Sequence, residues 1–542
     1  MHAHTLAAEQ RTISVAEFFS KNRHLLGFDS PARALLTTVK EAVDNAIDAS
    51  EEAGLLPEVV VTVARRSGKG NEGIFVVCVE DGGPGIVEEQ IARIFGKLLY
   101  GSKFHRLAQS RGQQGMGISA AGMYGQLTTG EPMRVISRTD ADSPARELKI
   151  SIDTQKNRPD IHSKRDVPWH RPHGTLVEIA MQGQYQHGHH SIPLYLKLTS
   201  VANPHVSLTL IEPDGTTLSF PRSTTALPPA PKRIEPHPHG VELGRLIAML
   251  KATRAKHLDD FLRTEFTQVG RTRARRIIDA AGAGLTRRSY PKRIARQKAV
   301  ALHRAIGQTK IPAPPADCVV PIGEAGIREG LARELPAAFY AIRTRPPAVY
   351  RGNPFLVEVG LAYGRVDAPH VVVAEDGHLR RVGEQNDRRA REPVRLLRYA
   401  NRVPLLYQRA HCATTRAVAE THWRRYGLEQ PPGSLPLGPM TIFVHLASVW
   451  VPFTSESKEA IAAYPEILRE ITLALMECGR ELGAHLKRER RLDRELERRH
   501  AIERYLPHVA GAIGEILGLP EEKQREVEDR LDALVQSSRR TP

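Results

Sequence analysis

The stretch Arg111-Gly112-Gln113-Gln114-Gly115-Met116-Gly117-Ile118-Ser119-Ala120-Ala121 constrains the fold more than any other part of the chain. Three glycines fall within six residues, two glutamines separate the first pair, and a run of helix formers follows at once. Glycine lets backbone N–H groups turn toward an anion, because no Cβ blocks the approach. A helix starting directly after such a loop aims its positive end at the same place. The stretch therefore reads as a lid over phosphates. No Gly-Lys-Ser/Thr follows, so it is not a Walker loop, and its spacing is not that of a dinucleotide fingerprint. Taken alone, such a loop fits a mobile surface loop equally well, and two other segments bear on the choice.

The first is a helix that Asp29 or Ser30 can cap, with Pro31 suited to its first turn. Leu35, Leu36, Val39, Ala42, Val43, Ala46 and Ile47 form one apolar stripe at helical period. Glu41, Asp44, Asn45 and Asp48 mark the opposite face, where Glu41 and Asn45 stand side by side. A solvated face is the plain reading of such charges. Against it, Asn is a poor helix former and sits here mid-helix among acids. The second segment closes a strand. Residues 59–64 and 74–79 are Val-rich and read as strands, and the latter runs into Glu80-Asp81-Gly82-Gly83-Pro84-Gly85-Ile86. An acid at a strand end, before a Gly/Pro turn, can accept a hydrogen bond from a ligand such as adenine; an ordinary glycine turn is the alternative. A helix over 87–99 and strands over 133–137, 148–152 and 175–179 complete an antiparallel sheet.

At 542 residues the chain has room for two to four domains. Its net charge of +16 favours a polyanionic partner, nucleic acid first, with an Arg-rich coding bias as the alternative. Four scattered cysteines have neither metal-ligand spacing nor the density of a disulfide framework, which fits a reducing cytoplasm. No signal peptide and no 18-residue apolar run is present, so the expectation is a soluble, unexported protein without a membrane partner. A Pro-rich connector over 221–240 sets a boundary near 230. Residues 251–310 carry 16 Lys and Arg against 4 Asp and Glu, which fits phosphate contact or a solvated basic face. After a second boundary at 312–316, apolar strands expected at 355–359, 370–373, 403–407 and 441–448 alternate with helices. Lys458 follows Ser and Glu residues and is expected near a helix start, where a cation is disfavoured unless it reaches a distant anion. A charged helix over 464–505 and a last amphipathic helix over 521–535 end the chain.

The acid-rich helix with its Asn, the Asp-x-Gly-x-Gly turn and the glycine lid together resemble the Bergerat (GHKL) ATP-binding fold of gyrase B, MutL, heat-shock chaperones and histidine kinases. Within it, the strings 41–49, 95–104 and 112–121 look most like the B subunit of DNA topoisomerase VI. The resemblance implies an α+β chain: an N-terminal arm over 1–28, a GHKL α/β sandwich ATPase domain over 29–230, and a helix-two-turns-helix domain over 231–311. An α/β transducer domain over 312–480 and a C-terminal helical stalk for partner binding over 481–542 follow. It implies ATP and Mg²⁺ as cofactors, with Glu41 as general base and Asn45 as the Mg²⁺ ligand. Asp81 would hold the adenine amino group with Thr175 behind it, and Gly83 and Gly85 would let the chain pass close to the base. Ser102 and Lys103, with Gly112, Gln113, Gln114, Gly115, Met116, Gly117, Ile118 and Ser119, would wrap the phosphates. Lys458 would contact the γ-phosphate from the transducer.

Two positions depart from the family pattern: Gly82 stands where Asn is usual, and Arg424 replaces Lys in Trp423-Arg424-Arg425-Tyr426. The implied partners are a separate A subunit in an A2B2 heterotetramer, a second copy on ATP binding, and double-stranded DNA, in the cytoplasm of a prokaryote. Two rivals are weighed: a non-hydrolysing meiotic-type scaffold, in which the ATP motifs decay, and a Bergerat kinase or chaperone. A kinase would need a phosphoacceptor His helix ahead of the ATP domain, where 28 residues stand, and a mismatch-repair protein would lack the 96–104 string.

Overall fold

The computed structural model describes residues 12–103, 107–112, 115–364, 370–373, 379–382 and 392–538. Gln113 and Gln114 of the lid lie outside the described residues. The chain is α+β, with two sheet layers joined by a small helical unit.

In the first unit, helix α1 (Val15–Lys21) buries Ala16 in the core, so this part of the expected arm packs on its own domain. Ser30 caps α2 (Pro31–Glu52), its hydroxyl accepting from the Arg33 N–H. The apolar stripe is buried throughout. Each such Leu, Ile or Val contributes about 1.5–3 kcal/mol, which fixes the rotation of α2 and turns Glu41 and Asn45 away from the core. Strands β1 (Glu58–Lys69) and β2 (Glu72–Asp81) form a hairpin, followed by α3 (Glu88–Gly96) and α4 (Gly117–Thr129). Strands β3 (Met133–Arg138), β4 (Ala145–Asp153), β5 (Arg158–Val167) and β6 (Gly174–Gln184) come next. Helix α5 (Ile192–Ala202) leads to β7 (Ser207–Ile211) and β8 (Thr217–Phe220). The sheet order is β5-β4-β3-β6-β2-β1-β7-β8. It is antiparallel, as expected, except where β7 lies parallel to β1. Period-two alternation along β2 puts Asp81 on the buried face with Phe75, Val77 and Val79.

The middle unit is four helices, α6 (Leu243–Ala252), α7 (Leu258–Thr264), α8 (Arg271–Ala281) and α9 (Arg296–Gln308), around their own core. The turn before α8 holds Gln268 at φ +62°, and the one after it holds Gly282, Ala283 and Gly284 at positive φ. Arg271, Arg275, Arg276, Arg287 and Arg288 are exposed.

The third unit begins with α10 (Glu324–Glu334), β9 (Phe339–Thr344), β10 (Ala348–Tyr350) and β11 (Asn353–Tyr363). A short pair, β12 (His370–Val373) and β13 (Leu379–Val382), precedes β14 (Arg395–Ala400) and β15 (Val403–Pro404). The strand expected over 403–407 is shorter, ending at Pro404, with one further bond from the Leu405 N–H to the Arg398 carbonyl at 2.8 Å. Helix α11 (Ala413–Glu420) and β16 (Met440–Ser448) complete the layer. The order is β10-β11-β16-β14-β15, with β9 also on β11. Helix α12 (Pro465–Leu517) then runs for 53 residues, about 80 Å at 1.5 Å per residue. It continues unbroken across residue 480, where a boundary was expected, because Leu475, Cys478 and Leu482 belong to one buried stripe spanning that point. Trp423 is fully buried and its indole N–H donates to the Val418 carbonyl at 2.8 Å, while Tyr426 packs on Gly479 of α12. Trp423 and Tyr426 of that motif thus seat the base of the long helix. Helix α13 (Glu521–Ser538) folds back on its far end.

Candidate nucleotide-binding site

Asp81 ends β2 directly opposite Thr175 at the start of β6. Its Oδ1 accepts from the Gly83 N–H at 2.8 Å and the Thr175 N–H at 3.2 Å. Burial pushes its carboxyl up to about 6, partly offset by those two N–H groups. The Thr175 hydroxyl lies 3.0 Å from Ser137 Oγ, which also accepts from the Ile86 N–H. His173 Nδ1 meets the Gly83 carbonyl at 2.7 Å and closes the turn from the far side. Gly85 has φ +73°, and a Cβ there would lie 1.9 Å from the Arg138 carbonyl, so glycine is required twice over. Gly82 donates to the Glu58 carbonyl at 3.2 Å.

Elsewhere in the first unit, α2 meets the described ends of the lid. A Cβ on Gly117 would stand 1.8 Å from Glu41 Oε2, so the Glu41 carboxylate rests on the bare backbone where α4 begins. A Cβ on Gly112 would lie 3.6 Å from Asn45 Oδ1, and Asn45 is exposed on that face. No side chain caps α4, whose first N–H groups face this end of the site. Met116 and Ile118 point into the core, and the Ser119 hydroxyl donates to the Ile94 carbonyl at 3.0 Å. These three positions offer a ligand backbone, not side chains. Ser102 is exposed. Lys103 is turned onto α2, with Nζ 2.6 Å from Asp48 Oδ2 and 3.6 Å from Glu52 Oε1.

Asp44 and Asp48 are buried, unlike residues of a solvated face. Burial raises Asp44 to about 6, with Lys40 opposing, and Tyr195 Oη donates to it at 2.8 Å. Burial also acts to raise Asp48, but Lys103 and Arg111 outweigh it and hold the carboxyl below its usual range. Arg111 was only the flank of the lid string, yet it is the best-bonded side chain here. It reaches Asp48 Oδ1 at 2.8 Å and Glu51 with both arms at 2.8 Å. Tyr195 and Asn203, which hold these groups, gave no local sequence signal, because their partners lie 151 and 92 residues away.

Lys458 is not near a helix start. It sits in an irregular loop at φ +54°, and α12 begins only at Pro465. The loop closes on itself through the Phe453–Ile461 bridge and a 2.9 Å bond from the Thr454 N–H to the Ala460 carbonyl, which excludes helical pairing. Lys458 lines a small cavity with Asp44, Arg111 and Asn401 between the first and third units. The adjacent Glu459 pairs with Arg33 of α2, and Arg33 also stacks over Tyr407. The fold thus gathers Glu41, Asn45, Gly112 and Gly117 on one side, Asp81, Gly83, Gly85 and Thr175 on the other, and brings the Lys458 loop against α2.

Residues 31–156 match the family described as histidine kinase-, DNA gyrase B- and HSP90-like ATPase, and residues 314–498 match the topoisomerase VI B subunit transducer. The B subunit of type 2 DNA topoisomerase 6 from Methanococcoides burtonii is 48% identical over 516 residues, covering 95% of this chain and 79% of that one. Its namesake from Archaeoglobus fulgidus is 47% identical over 513 residues, 94% and 80% of the two chains. A solved Aquifex aeolicus MutL ATPase domain complexed with ADP overlaps 76% of this chain and 90% of its own at 10% identity, with a TM-score of 0.30, too distant to add to the sequence match. With near-complete coverage at this identity and both domain matches in order, the chain belongs to the family of topoisomerase VI B subunits.

Proposed function

We propose that this chain binds and hydrolyses ATP as the B subunit of a type IIB DNA topoisomerase, with two copies closing on ATP around a DNA duplex and gating cleavage by a separate A subunit. The observation that carries the reading is the meeting of Glu41 with Gly117 and of Asn45 with Gly112, which sets a carboxylate and an amide under the two ends of a phosphate lid. Asp81 accepts from the adenine amino group, with Thr175 and Ser137 behind it. The uncapped start of α4 donates backbone N–H groups to the phosphates. Glu41 orients the attacking water and takes its proton. Lys458 approaches the γ-phosphate from the transducer, so phosphate release is felt there. The residues fit Mg²⁺: Asn45 Oδ1 is exposed toward the lid, and Mg²⁺ held there with the triphosphate supplies charge neutralisation at the leaving group. Lys103 has to leave Asp48 to reach a phosphate, a trade of one anion for another.

The exposed arginines of the middle helices give DNA a basic face. The stalk helices α12 and α13 offer the surface for the A subunit, and no described helix is long and apolar enough to cross a membrane. The test is relaxation of supercoiled DNA by the chain mixed with its A partner. ATP-dependent relaxation is expected, with Glu41→Ala binding nucleotide but turning over about 10²–10⁴-fold more slowly. Relaxation that ignores ATP, or near-normal hydrolysis by Glu41→Ala, refutes it.

A further inference from the structure

The chain entering the lid makes four hydrogen bonds to residues beyond the boundary near 230, all from residues 107 to 110. The Leu107 carbonyl accepts from the Ile234 N–H at 3.1 Å. The Gln109 N–H donates to the Cys318 carbonyl at 3.0 Å, and its Oε1 accepts from the Val320 N–H at 2.6 Å. The Ser110 carbonyl accepts from Asn401 Nδ2 at 2.9 Å. Arg111 Nη2 donates to Asn203 Oδ1, and Asn203 Nδ2 donates to the Arg402 carbonyl at 3.2 Å. From there the path enters the transducer core. The Arg402 N–H donates to His445 Nε2 at 2.9 Å, and His445 Nδ1 meets buried Glu358 at 2.8 Å.

Asn401 and Arg402 form the turn between β14 and β15, and both hold left-handed φ, +47° and +67°. Side chains rarely adopt that conformation unless their surroundings determine it. Here they do: Asn401 grips β16 with both ends of its amide, accepting from the Ser448 N–H at 2.8 Å and donating to its carbonyl at 2.9 Å, while reaching Ser110. Arg111 spends Nη1 and Nη2 on Asp48, Glu51 and Asn203, and its buried Nε lacks a partner among the described residues. A buried donor left unmade costs more than a small rigid shift of the group it binds. The Ser110–Asn401 and Asn203–Arg402 bonds are what would carry a shift of the lid to this turn.

We propose that Asn401 and Arg111, which line the same small cavity as Lys458, are positioning residues that couple lid closure to the transducer through hydrogen bonds that do not include Lys458. The proposal rests on the nucleotide reading of the lid. The experiment is hydrogen exchange on the full chain with and without a non-hydrolysable ATP analogue and Mg²⁺, for the wild type and Asn401→Asp. Aspartate tolerates the left-handed turn and still accepts from the Ser448 N–H, but cannot donate to the Ser110 or the Ser448 carbonyl. In the wild type the analogue is expected to change exchange at both 107–112 and 400–405. In Asn401→Asp the change at 107–112 persists, and that at 400–405 falls about 3- to 30-fold. An equal response at 400–405 in both proteins, or none there in the wild type while the lid responds, overturns the coupling. No response at 107–112 in the wild type overturns the nucleotide reading itself. Should Asn401→Asp not fold, Arg111→Lys, which keeps the charge at Asp48 and loses the reach to Asn203, is read in the same way.

Discussion

Gly117→Ala separates the chemistry of this site from its stability. Gly117 opens α4 in a helical conformation that alanine also favours, so intrinsic preference changes stability by at most about 1 kcal/mol in alanine's favour. The new methyl would stand 1.8 Å from Glu41 Oε2, 2.3 Å from Cδ and 2.7 Å from Cγ. Ordinary contact begins at 3.4 Å, so the carboxylate has to retreat by about 1.6 Å. Glu41 is a half-buried, flexible side chain, and it yields before the backbone does. A displacement of about 1 Å at a catalytic group costs on the order of 10²-fold, so kcat for ATP hydrolysis should fall by about that factor or more. Melting temperature should stay near wild type, and analogue titration reports separately on any block of the lid backbone by the new methyl. Steady-state hydrolysis, thermal unfolding and analogue titration on the same preparation decide it. Hydrolysis within about twofold of wild type would show that Glu41 does not act where it stands.

Replacing Arg33 by Met strands Glu459 in a buried setting and should destabilise the docking of the Lys458 loop by about 3 kcal/mol. Exchanging the two charges should recover part of it, and strict additivity in the double-mutant cycle would reject the pair. Asp81 has a folded value of about 6, above that of a free aspartate, so its burial costs stability as pH rises past the free value, in full above about 6. Adenine needs the ionised form, so analogue affinity should fall about tenfold per unit below that value. A flat pH profile counts against Asp81 as the adenine contact. Lys458→Ala should slow ATP-driven relaxation by the reconstituted complex while leaving the fold intact, and unchanged relaxation removes its switch role.

The lid, the acidic helix and the Asp81 turn were legible because each is written in local sequence. Glycine spacing, a seven-residue apolar stripe and strand alternation are short-range patterns, and the side on which Glu41, Asn45 and Asp81 would emerge follows from helical and strand period alone. The strands β5, β7 and β8 were not anticipated. Strand β5 alternates weakly on an exposed edge, and β7 and β8 are short.

The setting of Lys458 was misread for another reason. A hydroxyl- and acid-rich run before an apolar segment suggests a helix cap, but the Phe453–Ile461 bridge closes the loop first. Periodicity and glycine placement belong to the chain itself, and they set the sides of α2 and β2 on which Glu41, Asn45 and Asp81 stand. Which polar groups meet which was decided only by tertiary packing. Arg111 finds Asn203, Ser110 finds Asn401 and Arg33 finds Glu459 across 92, 291 and 426 residues. Such pairs leave no periodic trace, because the free energy that selects them arises only after burial has removed water from both partners.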